Sequence, residues 1–98
     1  MAAYKLSAAA DADIDGIYEY SILNFGLIVA RDYLAELTAR FELLAHHADL
    51  GRDYGDIVPG LRRYEHAGHS IYFTRLNNGD VLIIRILGAR QDPARHLK

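Results

Sequence analysis

Arg63, Tyr72 and Arg85 are the residues of this 98-residue chain whose types and spacing point most directly to chemistry. Two guanidiniums flanking a phenol would hold a phosphate or a partner's carboxylate bidentately, provided that three strands bring them into one row. A row of arginines on a sheet is also an ordinary solvated or salt-bridged face, and here only the half-apolar surroundings single it out. The histidines offer less. His66 and His69 flank a hairpin turn, but no third ligand stands at a recognisable spacing, so no metal is expected. His46 and His47 fall where a helix ends, where cationic side chains favour the dipole. Of the seven tyrosines, Tyr18 and Tyr33 fall on helix core stripes and Tyr64 on an inward sheet face. Tyr72 is then the one good candidate for stacking on a base. The chain has no phosphate-cradling glycine loop, no G-x-S-x-G and no paired-carboxylate spacing above chance. Without cysteine there is no thiolate nucleophile, thiolate zinc site or disulfide, and no cofactor is expected.

Positioning that row requires a sheet and something to pack on it. Tyr4-Lys5-Leu6 alternates like a short strand and meets Ser7, a helix N-cap, followed by Asp11, Asp13 and Asp15 at the positive end of the dipole. Ile14, Ile17, Tyr18, Ser21, Ile22 and Phe25 then recur at helical spacing until Gly26 breaks the run. Ala30, Tyr33, Leu34, Leu37, Phe41, Leu44 and Ala45 mark a second helix, ending near His47 with Gly51 just beyond. So short a connection predicts an antiparallel helix hairpin over about residues 8–48. Residues 49–60, with Gly51, Gly55, Pro59 and Gly60, read as loop. The period then changes: Leu61–Glu65, His69–Leu76 and Val81–Leu87 read as three strands joined at Ala67-Gly68 and Asn78-Gly79.

Two-residue turns at both joints predict a register in which Tyr64, Ile71, Phe73, Leu82, Ile84 and Ile86 face the helices. The opposite face then carries Arg63, Tyr72 and Arg85 in a row, surrounded by Glu65, Ser70, Thr74, Val81, Ile83 and Leu87. A last strand that is apolar on both sides expects cover on both sides, yet the chain has one helix pair to offer. A partner segment is expected to supply the second layer, by strand addition or as a helix in a groove.

The predicted fold class is α+β: an N-terminal strand, an antiparallel helix hairpin, a three-stranded antiparallel meander over about 61–88, and a tail over 89–98. The length predicts a single domain spanning 1–98. A 51% hydrophobic and 24% charged composition is that of a folded globular chain. No apolar run is long enough to cross a bilayer, and the N-terminus shows no charged region followed by an apolar stretch, so a cytoplasmic protein with no membrane partner is expected. A net charge of −2 argues against holding nucleic acid directly by bulk electrostatics. The mean hides a split, since residues 1–61 carry four basic against ten acidic residues and residues 62–98 carry seven against three. The basic last third points to an anionic partner.

The pieces Tyr4-Lys5-Leu6-Ser7, Ile17 with Tyr20, Phe25-Gly26 with Ala30, Leu50-Gly51-Arg52, Pro59-Gly60-Leu61-Arg62-Arg63-Tyr64, His69-Ser70-Ile71-Tyr72-Phe73, Arg85-Ile86-Leu87 and Asp92-Pro93-Ala94-Arg95-His96-Leu97 are each weak alone. In this order and spacing, over almost the whole chain, they resemble the ParE branch of the RelE/ParE toxin superfamily, the toxin halves of bacterial toxin–antitoxin pairs. That resemblance implies a small sheet with a helix hairpin on one side, and an antitoxin whose C-terminal segment wraps the toxin. ParE-type members poison DNA gyrase, whereas RelE-type relatives cut mRNA on the ribosome. Cleavage needs an acid and a base beside its cations. Arg63 and Arg85 look like the cationic pair of the nucleases, but Gly88 stands where the family often places His, and Ala89 follows where an aromatic hydroxyl would serve. Tyr72 would serve only if its pKa fell far from about 10, a direction in which two arginines would push it. Ala48 and Gln91 also depart from the family's usual proline and methionine.

The resemblance therefore implies the toxin of a type II toxin–antitoxin system that inhibits DNA gyrase, is not itself an enzyme, and is neutralised by a cognate antitoxin. The alternatives are a RelE-like ribosome-dependent mRNA endoribonuclease using Arg63, Arg85 and Tyr72, and a non-toxic binding module of an operon-regulating complex. Candidates for partner contact are Arg63, Tyr72 and Arg85 with Arg90, Arg95 and His96 of the tail.

Overall fold

The computed structural model describes residues 3–97; Met1, Ala2 and Lys98, which the expected domain and tail include, lie outside the described residues. The chain runs as β1 (Tyr4–Leu6), α1 (Ala8–Phe25), α2 (Leu27–His46), a 3-10 turn (Ala48–Leu50), β2 (Arg52–Asp53), β3 (Arg62–His66), β4 (His69–Arg75), β5 (Val81–Gly88) and α3 (Pro93–Leu97). This is the expected α+β order. Ser7 caps α1 as its type predicts: its Oγ accepts from the Ala10 N–H at 3.0 Å. The same hydroxyl donates to the Ile84 carbonyl at 2.7 Å, so the cap also fastens the start of the helix to β5. Gly26 alone joins α1 to α2, at φ 89° and ψ 166°, a conformation essentially reserved for glycine.

The five strands form one sheet in the order β1-β5-β4-β3-β2, with β1 parallel to β5 and the remaining pairs antiparallel. The meander thus gains a strand on each side. β2 falls in the stretch expected to be loop, because two residues are too few to show a period. Ala67 and Gly68 close the β3–β4 turn at φ 47° and 84°, the two-residue geometry expected, pairing His66 with His69.

The β4–β5 turn differs. Leu76 N–H donates to the Asp80 carbonyl at 2.7 Å, enclosing a three-residue loop with Gly79 at φ 91° and pairing Arg75 with Val81. One residue of slip reverses the faces, so Val81 and Ile83 join the core under the helices, where Leu82 and Ile84 were expected. A β-bulge then absorbs Ile84 between the pairs Phe73↔Ile83 and Tyr72↔Arg85, restoring the expected register for Arg85, Ile86 and Leu87. The core between helices and sheet gathers Leu37, Phe41, Leu44, Ile71, Phe73 and Ile86 around these residues, with Ile14, Ile17 and Tyr64 packed against it. Phe25, expected on the α1 stripe, is instead 62% exposed and packs edge-on against Tyr20.

The second layer also departs from expectation, because the chain supplies it. Leu61, Tyr72 and Leu87 form a buried cluster on the other face, covered by Tyr54, Ile57 and Val58 of the 54–61 segment, by Ile84 and by Leu97 of α3. The tail is therefore a turn and a short helix that close this cluster, and no partner segment is needed to bury it.

Candidate functional site

The three residues proposed to act together are neighbours across the strands, Arg63 paired with Tyr72 and Tyr72 with Arg85. Their side chains nevertheless do not form the open cationic row that the register alone suggests. Arg85, at the bulge, turns off the sheet toward α1 and meets Asp13 bidentately, Nε to Oδ2 at 2.8 Å and Nη2 to Oδ1 at 2.9 Å. Asp13 Oδ2 also accepts the Ile86 N–H at 2.9 Å. These bonds raise the Arg85 pKa against the opposing effect of burial, and its charge is neutralised in place. Arg85 thus keeps the expected pairing with Tyr72, but its guanidinium is drawn to the helix hairpin and is not presented on the opposite face. β1 ends at Leu6, leaving the later part of β5 without a strand partner on that side, and the Asp13 carboxylate takes the bond that a strand would have made.

Arg63 is held from three sides. Its Nε donates to Ser70 Oγ at 3.0 Å, its Nη1 to the Tyr54 hydroxyl, and its Nη2 pairs with Glu65. Burial opposes the charge, but the Tyr54 hydrogen bond and the nearby tyrosines and Glu65 together raise its pKa. Tyr72 lies beneath, 2% exposed, edge-on to Tyr54 with ring centroids 6.0 Å apart. Burial dominates its titration, so its pKa is raised where two arginines were expected to lower it. A buried, protonated phenol is neither a general base near neutrality nor a platform for a base. Arg63 and Tyr72 are closed in beside Tyr54 while Arg85 is paired apart from them on α1, so the three side chains do not form an accessible anion clamp.

The exposed basic side chains of the last third are Arg75, at the end of β4, and those of the tail. Arg90, Arg95 and His96 are exposed, and none makes an ion pair among the described residues. Gln91 Oε1 accepts the Gly88 N–H at 2.8 Å, and Leu97 anchors α3 on the Tyr72 cluster, which fixes the tail's course. His66 and His69 do not assemble a metal site; no group of three potential ligands occurs among the described residues. They form a junction with α2 instead. The Tyr33 hydroxyl lies 2.7 Å from His69 Nδ1, and the Tyr33 ring stacks on His66. Burial, then Glu36, raises the Tyr33 pKa, while burial, then His66, lowers that of His69. The Tyr33 hydroxyl also lies 3.4 Å from the His66 carbonyl, so it has an acceptor in either tautomer of His69. Asp13 is the residue that sequence reasoning misses: its type and place near the start of α1 suit a partner of the helix dipole, and nothing local marks its distant arginine.

A family model described as the ParE toxin of the type II toxin–antitoxin system, parDE, matches residues 4–93. The chain is 34% identical over 97 residues to a Toxin ParE1 of Caulobacter vibrioides, covering 99% of each chain. It is 30% identical over 94 residues to a Toxin ParE1 of Mycobacterium tuberculosis, covering 96% of each. Among solved structures, a chain of the chromosomal ParDE TA system from P. aeruginosa superposes with a TM-score of 0.73 at 27% identity, over 90% of this chain and 96% of that one.

Proposed function

Because this chain belongs to the ParE toxin family of type II toxin–antitoxin systems, we propose that it acts on DNA gyrase by binding, without catalysing RNA cleavage, in the cytoplasm where a cognate antitoxin neutralises it. An antitoxin partner follows from the family and from the ParDE complex that it resembles. The engagement of Arg85 by Asp13 carries the choice between the two activities of the superfamily. A phosphoryl-transfer site needs cations free to meet developing charge, with a base and an acid in reach. Here one arginine is neutralised by a helix carboxylate, the other is tied to Glu65 and Tyr54, and the phenol between them is buried and protonated. Gly88 and Ala89 bring no acid or base to the end of β5. A toxin that works by stabilising or blocking a gyrase–DNA intermediate needs only a complementary surface, and Arg90, Arg95 and His96 are the exposed candidates for that contact.

The test is a supercoiling and cleavage assay on plasmid DNA with gyrase and the refolded toxin freed of antitoxin. Gyrase-dependent linear DNA, suppressed by adding antitoxin back, is the expected result. No effect on gyrase at excess folded toxin overturns the proposal. Cleavage of ribosome-bound mRNA would then identify a nuclease, and a blank in both assays a non-toxic binding module.

A further inference from the structure

The solvent side of the helix hairpin carries a groove of about 520 Å³ between Tyr18 of α1 and Arg31, Leu34, Ala35, Thr38 and Glu42 of α2. Along α2, positions 28, 31, 35, 38 and 42 recur at alternating spacings of three and four residues, so Ile28, Arg31, Ala35, Thr38 and Glu42 share one stripe. Ile28 is 76% exposed. Thr38 spends its hydroxyl on its own helix, donating to the Leu34 carbonyl at 3.0 Å, which leaves its methyl as the surface it offers. Neither Arg31 nor Glu42 has an ion-pair partner among the described residues.

The order of residues along this stripe is self-complementary. Arg31 and Glu42 lie equally far from the midpoint between Ala35 and Thr38, with opposite charges at the two ends. In an antiparallel pairing about that midpoint, Arg31 of one copy meets Glu42 of the other, and Ala35 meets Thr38, each pair occurring twice as a two-fold axis requires. Small side chains at the centre let the two helices approach to about 8–10 Å. The adjoining hairpin tip adds apolar surface: Tyr20–Ala30 contains no charged residue, and Tyr20 and Leu23 are 62% and 79% exposed. Exposed apolar side chains gathered beside a groove mark an interaction surface, whereas apolar side chains scattered singly over a surface do not.

We propose that the solvent face of α2 is a docking surface for a second copy of this chain, packed antiparallel with Arg31 and Glu42 exchanging ion pairs across the two-fold axis. Sedimentation velocity of the full chain over a concentration series from micromolar upward should show a monomer–dimer equilibrium. Arg31→Glu and Glu42→Arg should each weaken dimerisation about ten-fold or more by placing like charges in contact, and the double substitution should restore it to near the original level. Both positions are exposed, and the double variant retains the original composition of charge, so circular dichroism of all three separates misfolding from loss of docking. A monomer at every concentration overturns the proposal, as do single substitutions without effect or a double variant that fails to recover. If instead the single variants lose capture by the antitoxin while the oligomeric state is unchanged, the face belongs to the antitoxin, and docking of a second copy is likewise overturned.

Discussion

Replacing Asp13 tests the assignment of Arg85 most sharply, because a stabilising role and an anion-binding role for that arginine predict opposite outcomes. The Asp13 and Arg85 side chains are 13% and 21% exposed, and the carboxylate accepts three hydrogen bonds, two from the guanidinium and one from Ile86 N–H. Asp13→Ala strands a largely buried charge and a backbone donor. Breaking a fully buried pair costs about 3–5 kcal/mol, and the residual exposure of Arg85 reduces that share. An unsatisfied backbone N–H adds roughly 1 kcal/mol or more. A loss of about 2–4 kcal/mol is expected, a large part of the roughly 5–15 kcal/mol typical of a domain. With a urea m-value of about 1–3 kcal/mol/M, the unfolding midpoint should fall by on the order of 1–2 M. Arg85→Ala should also destabilise, and the double variant should lose less than the sum of the two, because each single variant leaves the other partner unpaired. If Asp13→Ala changes the midpoint by less than the scatter of the measurement, or if the two losses simply add, the ion pair does not hold β5 to α1, and Arg85 is again available as an anion clamp.

Three further outcomes follow from local geometry. Gly26→Ala should cost about 1–3 kcal/mol, since φ 89° with ψ 166° excludes a Cβ sterically even though open space surrounds it; a thermal midpoint unchanged from the parent would refute the strain. Gly51→Ala should be destabilising for a different reason, at φ −78°: its Cβ would come within 2.7 Å of Phe73 Cε1 and closer still to Cζ, so overpacking of about 1–3 kcal/mol is expected in urea unfolding. The lowered pKa of His69 means that the unfolded chain binds the proton first as pH falls through about 6.5. Stability should therefore be complete above that pH, decline below it, and level off once the folded-state His69 is itself protonated. His69→Gln should flatten the decline measured between about pH 7.5 and pH 5.5, and an unaltered slope would locate the acid sensitivity elsewhere.

Much of the fold was legible because its boundaries rest on local chemistry. Ser7 and Gly26 delimit α1 through a hydroxyl cap and a positive φ, and Ala67-Gly68 sets the β3–β4 register through its turn type. The β4–β5 register was half legible. Asn78-Gly79 marks a turn without stating whether two or three residues form its loop, and that one residue exchanges Val81 and Ile83 for Leu82 and Ile84 in the core. Any of these four apolar residues is acceptable inside, so side-chain type could not correct the error. Arg85 fell at the expected pairing only because the bulge at Ile84 cancelled the slip.

The site was less legible, and the reason is physical. A sheet register says which side chains are neighbours, but a long, charged side chain goes to the strongest partner within reach. Arg85 reaches back 72 residues to Asp13, and Arg63 is taken by Glu65 and Tyr54 before any outside anion arrives. No pattern in the meander contains that information, because the deciding carboxylate belongs to the first turns of a helix, where aspartates are common for dipole reasons alone. The second layer follows the same logic: Ile57, Val58 and Leu97 come from segments without a period, so the apolar outer face of β5 pointed to a missing partner when its cover was already in the chain. In a toxin of this superfamily, an arginine at a matching strand position therefore shows a shared fold, while the carboxylates around it decide whether that arginine remains free to act.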